Sequence, residues 1–136
     1  MIKSYEAITE IPTIGTLRIE ANVSTGEIIL PDFGPTLMEG SLNGDSCVLE
    51  EGVALYDRML VRVGRSGNND LILDIPNVSR FHSVFTASTS GVVLSDLGSK
   101  NGTFVNGKRI VNPTGLKTGD VVDIGPARIS VHLQYE

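Results

Sequence analysis

The sequence of 136 residues has no tryptophan, one cysteine and two histidines. With Cys47 as its single cysteine, the chain cannot form an internal disulfide or a metal site built from several thiolates. The two histidines, His82 and His132, are too few to supply the ligand set of a zinc site. We therefore expect neither a bound metal nor another cofactor.

Long apolar runs are also missing. No stretch approaches the roughly 20 apolar residues that a helix needs to cross a bilayer. The N-terminal sequence MIKSYEAITEIP carries acidic residues and a proline where a secretory signal peptide needs an apolar stretch. These absences predict a cytoplasmic protein that does not insert into membranes.

Positive charge is scarce and unevenly distributed. The formal net charge is −5, and a general nucleic-acid binder needs a basic face, so we expect no nucleic-acid partner. Residues 1–57 carry ten acidic and two basic residues, a balance of −8. Residues 58–136 carry six acidic and nine basic residues, a balance of +3. An anionic ligand would therefore bind to the second part of the chain.

Helical periodicity is almost absent, and short β-branched runs alternate with Gly, Asn, Asp and Ser. In Thr16–Val23, for example, Leu17, Ile19, Ala21 and Val23 face one way. Asn-Gly pairs and a Gly-Asp pair mark tight turns between such runs. This pattern predicts an all-β fold, an antiparallel β-sandwich of two twisted sheets. The other predicted strands are Glu27–Leu30, Met59–Val63, Asp70–Leu73, Ser83–Thr86, Gly91–Ser95, Gly102–Val105, Val121–Ile124 and Ile129–Leu133.

The composition changes near residue 40, after the sequence PDFGPTLMEG. Before this point the chain is acidic and irregular, and after it the predicted strands follow closely. We therefore expect residues 1–40 to form an acidic N-terminal segment, in which Thr16–Val23 could pair with Glu27–Leu30 as a hairpin. Residues 41–136 would form the main domain.

The segment from Val61 to Gly125 contains the residues that could bind a phosphate. A phosphate dianion is bound well by an arginine fork together with neutral donors, because charge-assisted hydrogen bonds are short and strong. Arg65, Ser79 and the amides of glycine-rich turns could supply these groups. The Asn101 amide can both donate to and accept from a peptide backbone, which would orient an extended ligand.

Three motifs in this segment resemble the forkhead-associated (FHA) domain family in order and spacing. They are Gly64-Arg65, Ser79-Arg80-Phe81-His82 and Asn101-Gly102. The resemblance covers roughly residues 46–133, and it implies an FHA-like β-sandwich with its binding loops at one end. It also implies an adaptor in signalling that binds a phosphothreonine-containing protein or peptide, the substrate of a Ser/Thr kinase.

The resemblance assigns roles to individual residues. Arg65 and Ser79 would contact the phosphate, Asn101 the peptide main chain, and Arg80 either the phosphate or a downstream side chain of the ligand. Gly64, His82, Gly102 and Asn106 would support the site, with His82 holding the Ser79 and Gly64 loops together by hydrogen bonding.

Lys100 departs from the family pattern, because many members have a threonine there whose hydroxyl helps to bind phosphate. The lysine could replace this neutral donor with a charge, or it could point to solvent. A second function therefore stays open, a phosphorylation-independent assembly module that uses a face of the sandwich for docking or self-association.

A hydrolase built on Ser79 and His82 is a third hypothesis, but no oxyanion hole is evident in the sequence. We expect a binding protein and not an enzyme.

Overall fold

The computed structural model describes residues 13–21, 26–30, 40–41, 47–48 and 52–134. This part of the chain contains fourteen β-strands and no helix, hence nothing helical that is long and apolar enough to span a membrane. The strands are β1 (Gly15–Ala21), β2 (Glu27–Ile29), β3 (Gly40–Ser41), β4 (Cys47–Val48), β5 (Val53–Leu55), β6 (Met59–Gly64), β7 (Leu71–Asp74), β8 (Ser83–Ser88), β9 (Gly91–Asp96), β10 (Thr103–Val105), β11 (Lys108–Arg109), β12 (Thr114–Leu116), β13 (Val121–Ile124) and β14 (Ala127–Leu133).

The strands form two seven-stranded sheets, as the prediction of a β-sandwich requires. The first sheet has the order β11-β10-β13-β14-β1-β4, with β5 also paired to β1. The second sheet has the order β12-β9-β8-β6-β7-β2-β3. The prediction of an all-β sandwich is therefore confirmed.

Alternating side chains fill the space between the sheets. In β1 and β14 every second residue is buried, so each strand has one inner face and one solvent face. Leu17 and Ile129 of the first sheet are fully buried, as are Phe85 and Leu94 of the second. Burying one such side chain completely contributes roughly 1.5–3 kcal/mol. Because aromatic residues make up 5% of the chain, the core consists mainly of Leu, Ile and Val.

The predicted hairpin of Thr16–Val23 with Glu27–Leu30 is wrong. β1 pairs with β14 over its whole length, from Gly15 opposite Leu133 to Ala21 opposite Ala127. β2 pairs instead with β7 and β3 in the other sheet. Both strands have apolar inner residues that need the sandwich core, which a two-stranded hairpin cannot provide. Val23 lies outside the described residues.

The connection between β6 and β7 holds an exposed loop close to the sheet. The two strands run parallel, and parallel neighbours usually need a crossover of a dozen or more residues. Residues 65–70 suffice here because only Val63 and Gly64 pair with β7. At the base of this loop, the Asp70 amide donates to the Arg62 carbonyl and the Asp70 carboxylate accepts from the Arg62 amide, each at 2.9 Å.

Asp96, the last residue of β9, organises the loop that follows it. Its Oδ1 accepts from the hydroxyls of Ser99 at 2.5 Å and Thr103 at 2.6 Å. Its Oδ2 accepts from the amides of Gly98 at 2.9 Å and Ser99 at 3.0 Å. The Ser99 hydroxyl oxygen in turn accepts from the Gly102 amide at 3.0 Å. One carboxylate thus fixes both ends of residues 97–102.

These bonds also set the charge of Asp96. Burial by itself would raise the pKa of the carboxyl. The hydrogen bonds from the Ser99 and Thr103 hydroxyls, and from the Ser99 and Gly98 amides, outweigh burial and hold the pKa below its ordinary value.

An Asp96→Asn variant is expected to lose roughly 1–3 kcal/mol of unfolding free energy at pH 7, because an amide cannot accept all four donors. The pKa of Asp96 is lower in the folded state than in the unfolded state. The carboxylate therefore contributes its full stabilisation of the fold at pH values above the unfolded-state pKa. That stabilisation is lost as the pH falls through the folded pKa. Urea denaturation at a series of pH values should show the difference from wild type shrinking below about pH 4.

The exposed Asp74 provides the control. An Asp74→Asn variant should stay close to wild type at every pH. A deficit of Asp96→Asn that is as large at pH 3 as at pH 7 would contradict the assigned role of the carboxylate.

Candidate functional site

Three loops meet at one end of the sandwich. They are residues 65–70 between β6 and β7, residues 75–82 between β7 and β8, and residues 97–102 between β9 and β10. The last of these crosses from the second sheet to the first. Their mutual contacts are hydrogen bonds, so the shape of this end depends on a few polar groups.

Gly64 lets the first two loops approach each other. A Cβ at this position would collide with the Arg80 carbonyl oxygen and would lie 2.8 Å from Asn69 Nδ2. Without it, the Arg65 amide donates to the Ser79 carbonyl at 3.0 Å and the Asn69 side chain donates to the Arg80 carbonyl at 2.7 Å. Only glycine permits this close contact of the two backbones.

The Arg65 guanidinium is exposed but anchored. Its Nε donates to the Val78 carbonyl at 3.0 Å. The two terminal nitrogens have no acceptor in the described part of the chain. This geometry orients the planar group and leaves its outer edge able to form a two-point contact with an oxyanion.

The Ser79 hydroxyl connects the second loop to the third. Its oxygen accepts from the Lys100 amide at 3.0 Å, so the hydroxyl hydrogen remains available to donate elsewhere. Asn101 lies next to this contact, and its Nδ2 donates to the Asn77 carbonyl at 3.1 Å. Arg65, Ser79, Lys100 and Asn101 are thereby brought together by direct bonds between their loops.

His82 is fully buried beneath these residues. Its Nδ1 accepts from the Ser79 amide at 3.1 Å, and its Nε2 lies 2.8 Å from the Gly102 carbonyl oxygen. Because a carbonyl can only accept, Nε2 is the donor, and the two bonds together define the neutral tautomer protonated on Nε2.

The His82 ring joins the Ser79 loop to the Gly102 loop. The His82 amide donates to the carbonyl of Val63, next to Gly64, at 2.9 Å. The Gly64 loop is joined to the Ser79 loop by its main chain and by Asn69. Both ring nitrogens are occupied by main-chain groups, and neither bonds the Ser79 hydroxyl, so the pair lacks the geometry of a serine nucleophile and its base.

Gly102 and Asn106 lie at opposite ends of β10. Gly102 has a φ of +93°, and a Cβ there would lie 2.8 Å from Arg109 Nε. Asn106 and Gly107, with φ of 52° and 85°, form the turn between β10 and β11. The Asn106 side chain bonds Asp120 at 3.0 Å and the Val121 amide at 2.9 Å. Asn106 therefore supports the far end of the strand and does not contact the three loops.

The charge of this end of the molecule is positive. Of the described residues, Arg62 pairs with Asp70 and Arg128 with Asp123. Four other exposed cationic side chains belong to the loops or adjoin them and take part in neither pair: Arg65, Arg80, Lys100 and Arg109. Cations without a carboxylate partner create a potential that attracts an anion. Within the same residues, no group of three potential metal ligands is present.

Sequence reasoning missed three contributors to this arrangement. Asn77 adopts a φ of 70°, which turns its carbonyl toward Asn101. Asp96 organises the third loop from below. Arg109, which follows an Asn-Gly turn, lies against Gly102. The Asn at position 77 was the one available signal, because asparagine tolerates positive φ.

Comparisons with known proteins agree with this geometry. Residues 61–125 match the family model for the FHA domain. The transcriptional regulatory protein EmbR of Mycobacterium tuberculosis is 41% identical over 63 residues, which are 46% of this chain and 16% of EmbR. The oxoglutarate dehydrogenase inhibitor of Corynebacterium diphtheriae is 39% identical over 75 residues, 55% of this chain and 52% of that protein. The chain thus spans at most about half the length of these relatives.

Two solved structures are similar over most of the chain. M. tuberculosis EmbR in complex with a low-affinity phosphopeptide superimposes with a TM-score of 0.54 at 28% identity, covering 79% of this chain and 24% of EmbR. The FHA domain of FhaA, complexed with the intracellular domain of Rv3910, has a TM-score of 0.54 at 26% identity. The match covers 79% of this chain and 100% of the FhaA chain. The chain is therefore similar to the forkhead-associated (FHA) domain family, in the sequence of residues 61–125 and in its fold.

Proposed function

We propose that the protein is a phosphothreonine-binding adaptor whose ligand occupies the end formed by the three loops. The observation that carries the proposal is the anchored Arg65 guanidinium. Its Nε bonds the carbonyl of Val78, the neighbour of Ser79, whose hydroxyl oxygen in turn accepts from the Lys100 amide. The protein acts by binding and not by catalysis. We expect it to work in the cytoplasm, where Ser/Thr kinases would produce its ligand.

Arg65, Ser79 and Lys100 are suited to a phosphate dianion. The terminal nitrogens of Arg65 can form two parallel bonds to phosphate oxygens, and Ser79 can donate its hydroxyl hydrogen. The Lys100 ammonium adds a flexible charge where many FHA domains have a threonine. Arg80, which is exposed on the second loop, can bind either the phosphate or a neighbouring acidic side chain of the ligand.

Asn101 would orient the peptide. One Nδ2 hydrogen is used for the Asn77 carbonyl, which fixes the side-chain amide in place. The second hydrogen and Oδ1 can then bond the main chain of an extended ligand. The EmbR and FhaA structures support a peptide or protein ligand, because EmbR was solved with a phosphopeptide and the FhaA FHA domain with a protein domain.

A phosphorylation-independent assembly module is the second candidate. On the outer face of the second sheet, three residues lie side by side across β6, β8 and β9. Leu60 pairs with Thr86, and Thr86 pairs with Val93. Leu60 is 52% and Val93 38% exposed. Exposed apolar side chains on β6 and β9, the two strands that flank β8, favour a docking surface that needs no phosphate.

An Arg65→Ala variant should lose phosphothreonine binding by about tenfold to a hundredfold. The bonds that it removes are to a charged group and are worth roughly 1.5–3 kcal/mol. Titration against phosphothreonine, phosphoserine and unphosphorylated peptide pools tests this, and wild type should select the phosphothreonine pool. Arg18→Ala, which removes an exposed arginine from β1, is the matched control and should bind like wild type. Equal binding by the two variants would refute the phosphate site.

Retention of lysate proteins on the immobilised domain separates the two candidate functions. Phosphatase treatment of the lysate should abolish retention if the loops bind phosphothreonine. Retention that survives phosphatase, and that a Val93→Lys change on the sheet face removes, would instead establish the assembly module.

A His82→Ala variant should bind the selected peptide more weakly although His82 would not touch it. The change removes the partner of the Ser79 amide and leaves the buried Gly102 carbonyl unsatisfied, which costs about 1–3 kcal/mol for the buried group. Both a lower melting temperature and weaker binding by the folded fraction are expected. His132→Ala, at an exposed position on β14, should change neither. Full affinity in folded His82→Ala would show that the loops do not depend on this ring.

A further inference from the structure

The apolar part of the outer face of the second sheet extends beyond Leu60 and Val93. The Leu97 amide donates to the His82 carbonyl at 2.9 Å, which continues the pairing of β9 with β8 by one residue. Because every second side chain along a strand lies on the same face, Leu97 faces the same way as Val93. Val84 lies between them on β8, with a buried residue on either side of it. Exposed or half-buried apolar side chains therefore follow this face from its middle to the loop end.

Charged residues lie at two opposite corners of this face. Glu27 of β2 and Asp74 of β7 pair in register, and both are exposed on the side of the loop end; we call them the acidic corner. Lys117 follows β12, and because β12 runs antiparallel to β9, it lies at the end remote from the loops. Arg58 precedes β6 at the same remote end, and we call these two exposed cations the basic corner. Since β2 and β12 lie toward opposite edges of the sheet, the two corners are diagonally opposed.

The centre between the two corners carries no net charge. Arg62 lies there and forms an ion pair with Asp70 at 3.4 Å. The other outward-facing residues of β6, β8 and β9, three strands that the structure describes over their whole length, are uncharged.

An apolar centre with opposite charges at its two corners is complementary to a second copy of itself. A two-fold rotation brings the acidic corner of each copy onto the basic corner of the other, so the contact forms twice. The strands of the two copies would then cross at about 90°, which is one of the two common arrangements of packed sheets.

The size of the face predicts a weak dimer. β6, β8 and β9 have six residues each, which at about 3.3 Å per residue is a length of roughly 20 Å. The strands from β12 to β2, spaced by about 4.8 Å, give a width of roughly 24 Å. The contact would bury about 500 Å² on each copy and about 1,000 Å² in total, which is the range of transient, reversible complexes.

We propose that the outer face of the second sheet is a homodimer interface, in which Lys117 of one copy pairs with Asp74 of the other across the apolar centre. This inference goes beyond the proposed function, because the interface does not include Arg65, Ser79 or Asn101 and needs no phosphate. A dimer would present two phosphopeptide sites and would bind a doubly phosphorylated partner more tightly through the higher effective concentration of the second site.

Sedimentation equilibrium of the phosphatase-treated chain at increasing concentrations tests the dimer. Wild type should show a reversible monomer–dimer equilibrium with a Kd on the order of 10–100 μM, as a small interface implies. Val93→Lys should raise this Kd by at least about tenfold, because it places a charge in the apolar centre of the interface. Ser130→Lys is the matched control, since it places the same charge at an exposed position of β14 on the first sheet, and it should dimerise like wild type. Melting temperatures show whether each variant is folded.

A charge exchange tests whether the partner is a second copy. Lys117→Glu and Asp74→Lys should each raise the Kd by about threefold to tenfold, because each variant brings two pairs of like charges together. The double variant Asp74→Lys/Lys117→Glu should dimerise as wild type does, because its corners are again opposite in charge. A double variant weaker than either single variant would contradict the pairing of these corners.

The remaining outcomes decide the proposal without reference to the phosphate site. A folded chain that stays monomeric at the highest concentration would overturn it. A dimer that Val93→Lys leaves intact would place the interface on another face and would overturn it as well. Dimerisation that Arg65→Ala abolishes would assign self-association to the three loops instead. Phosphothreonine binding is measured separately by the peptide titration, so failure of the dimer leaves the proposed function standing.

Discussion

The geometry of the three loops depends on one buried imidazole. The His82 main chain bonds Val63 and Leu97, and its ring bonds Ser79 and Gly102, so one residue joins β6 and two of the loops. A buried polar ring is costly unless both nitrogens have partners. Because both are satisfied by main-chain groups, the ring holds the distance between the loops nearly independently of surface side chains. The cations above it can remain exposed and solvated until an anion arrives.

Much of the fold could be predicted because burial alternates along the long strands. Leu17, Ile19 and Ala21 face the core as their spacing indicates. Five strands were missed because each has only two or three residues, too few to show a period: β3, β4, β5, β11 and β12. The hairpin was wrong for a different reason, since pairing between β1 and β14 joins the two ends of the described chain. Local spacing carries no information about such a distant partner.

The candidate site, like the fold, could be predicted only in part. Arg65, Ser79, Lys100 and Asn101 could be located from the motifs, and the structure brings them together, although their contacts with a ligand stay predictions. The left-handed Asn77 and the contact of Arg109 with Gly102 could not be predicted, because each depends on a loop from elsewhere in the chain. Asn106 was placed at the site through its Asn-Gly motif, but this motif determines the turn and not which end of β10 the turn occupies.

The pairing of β1 with β14 has an architectural consequence. Gly15 lies opposite Leu133, about 5 Å away across the ladder, at the end of the strands remote from Ala21 and Ala127. β1 therefore begins and β14 ends at nearly one point, on the side of the sandwich remote from the 97–102 loop. Two chain segments of any length can be attached to these adjacent strand ends without crossing the three loops.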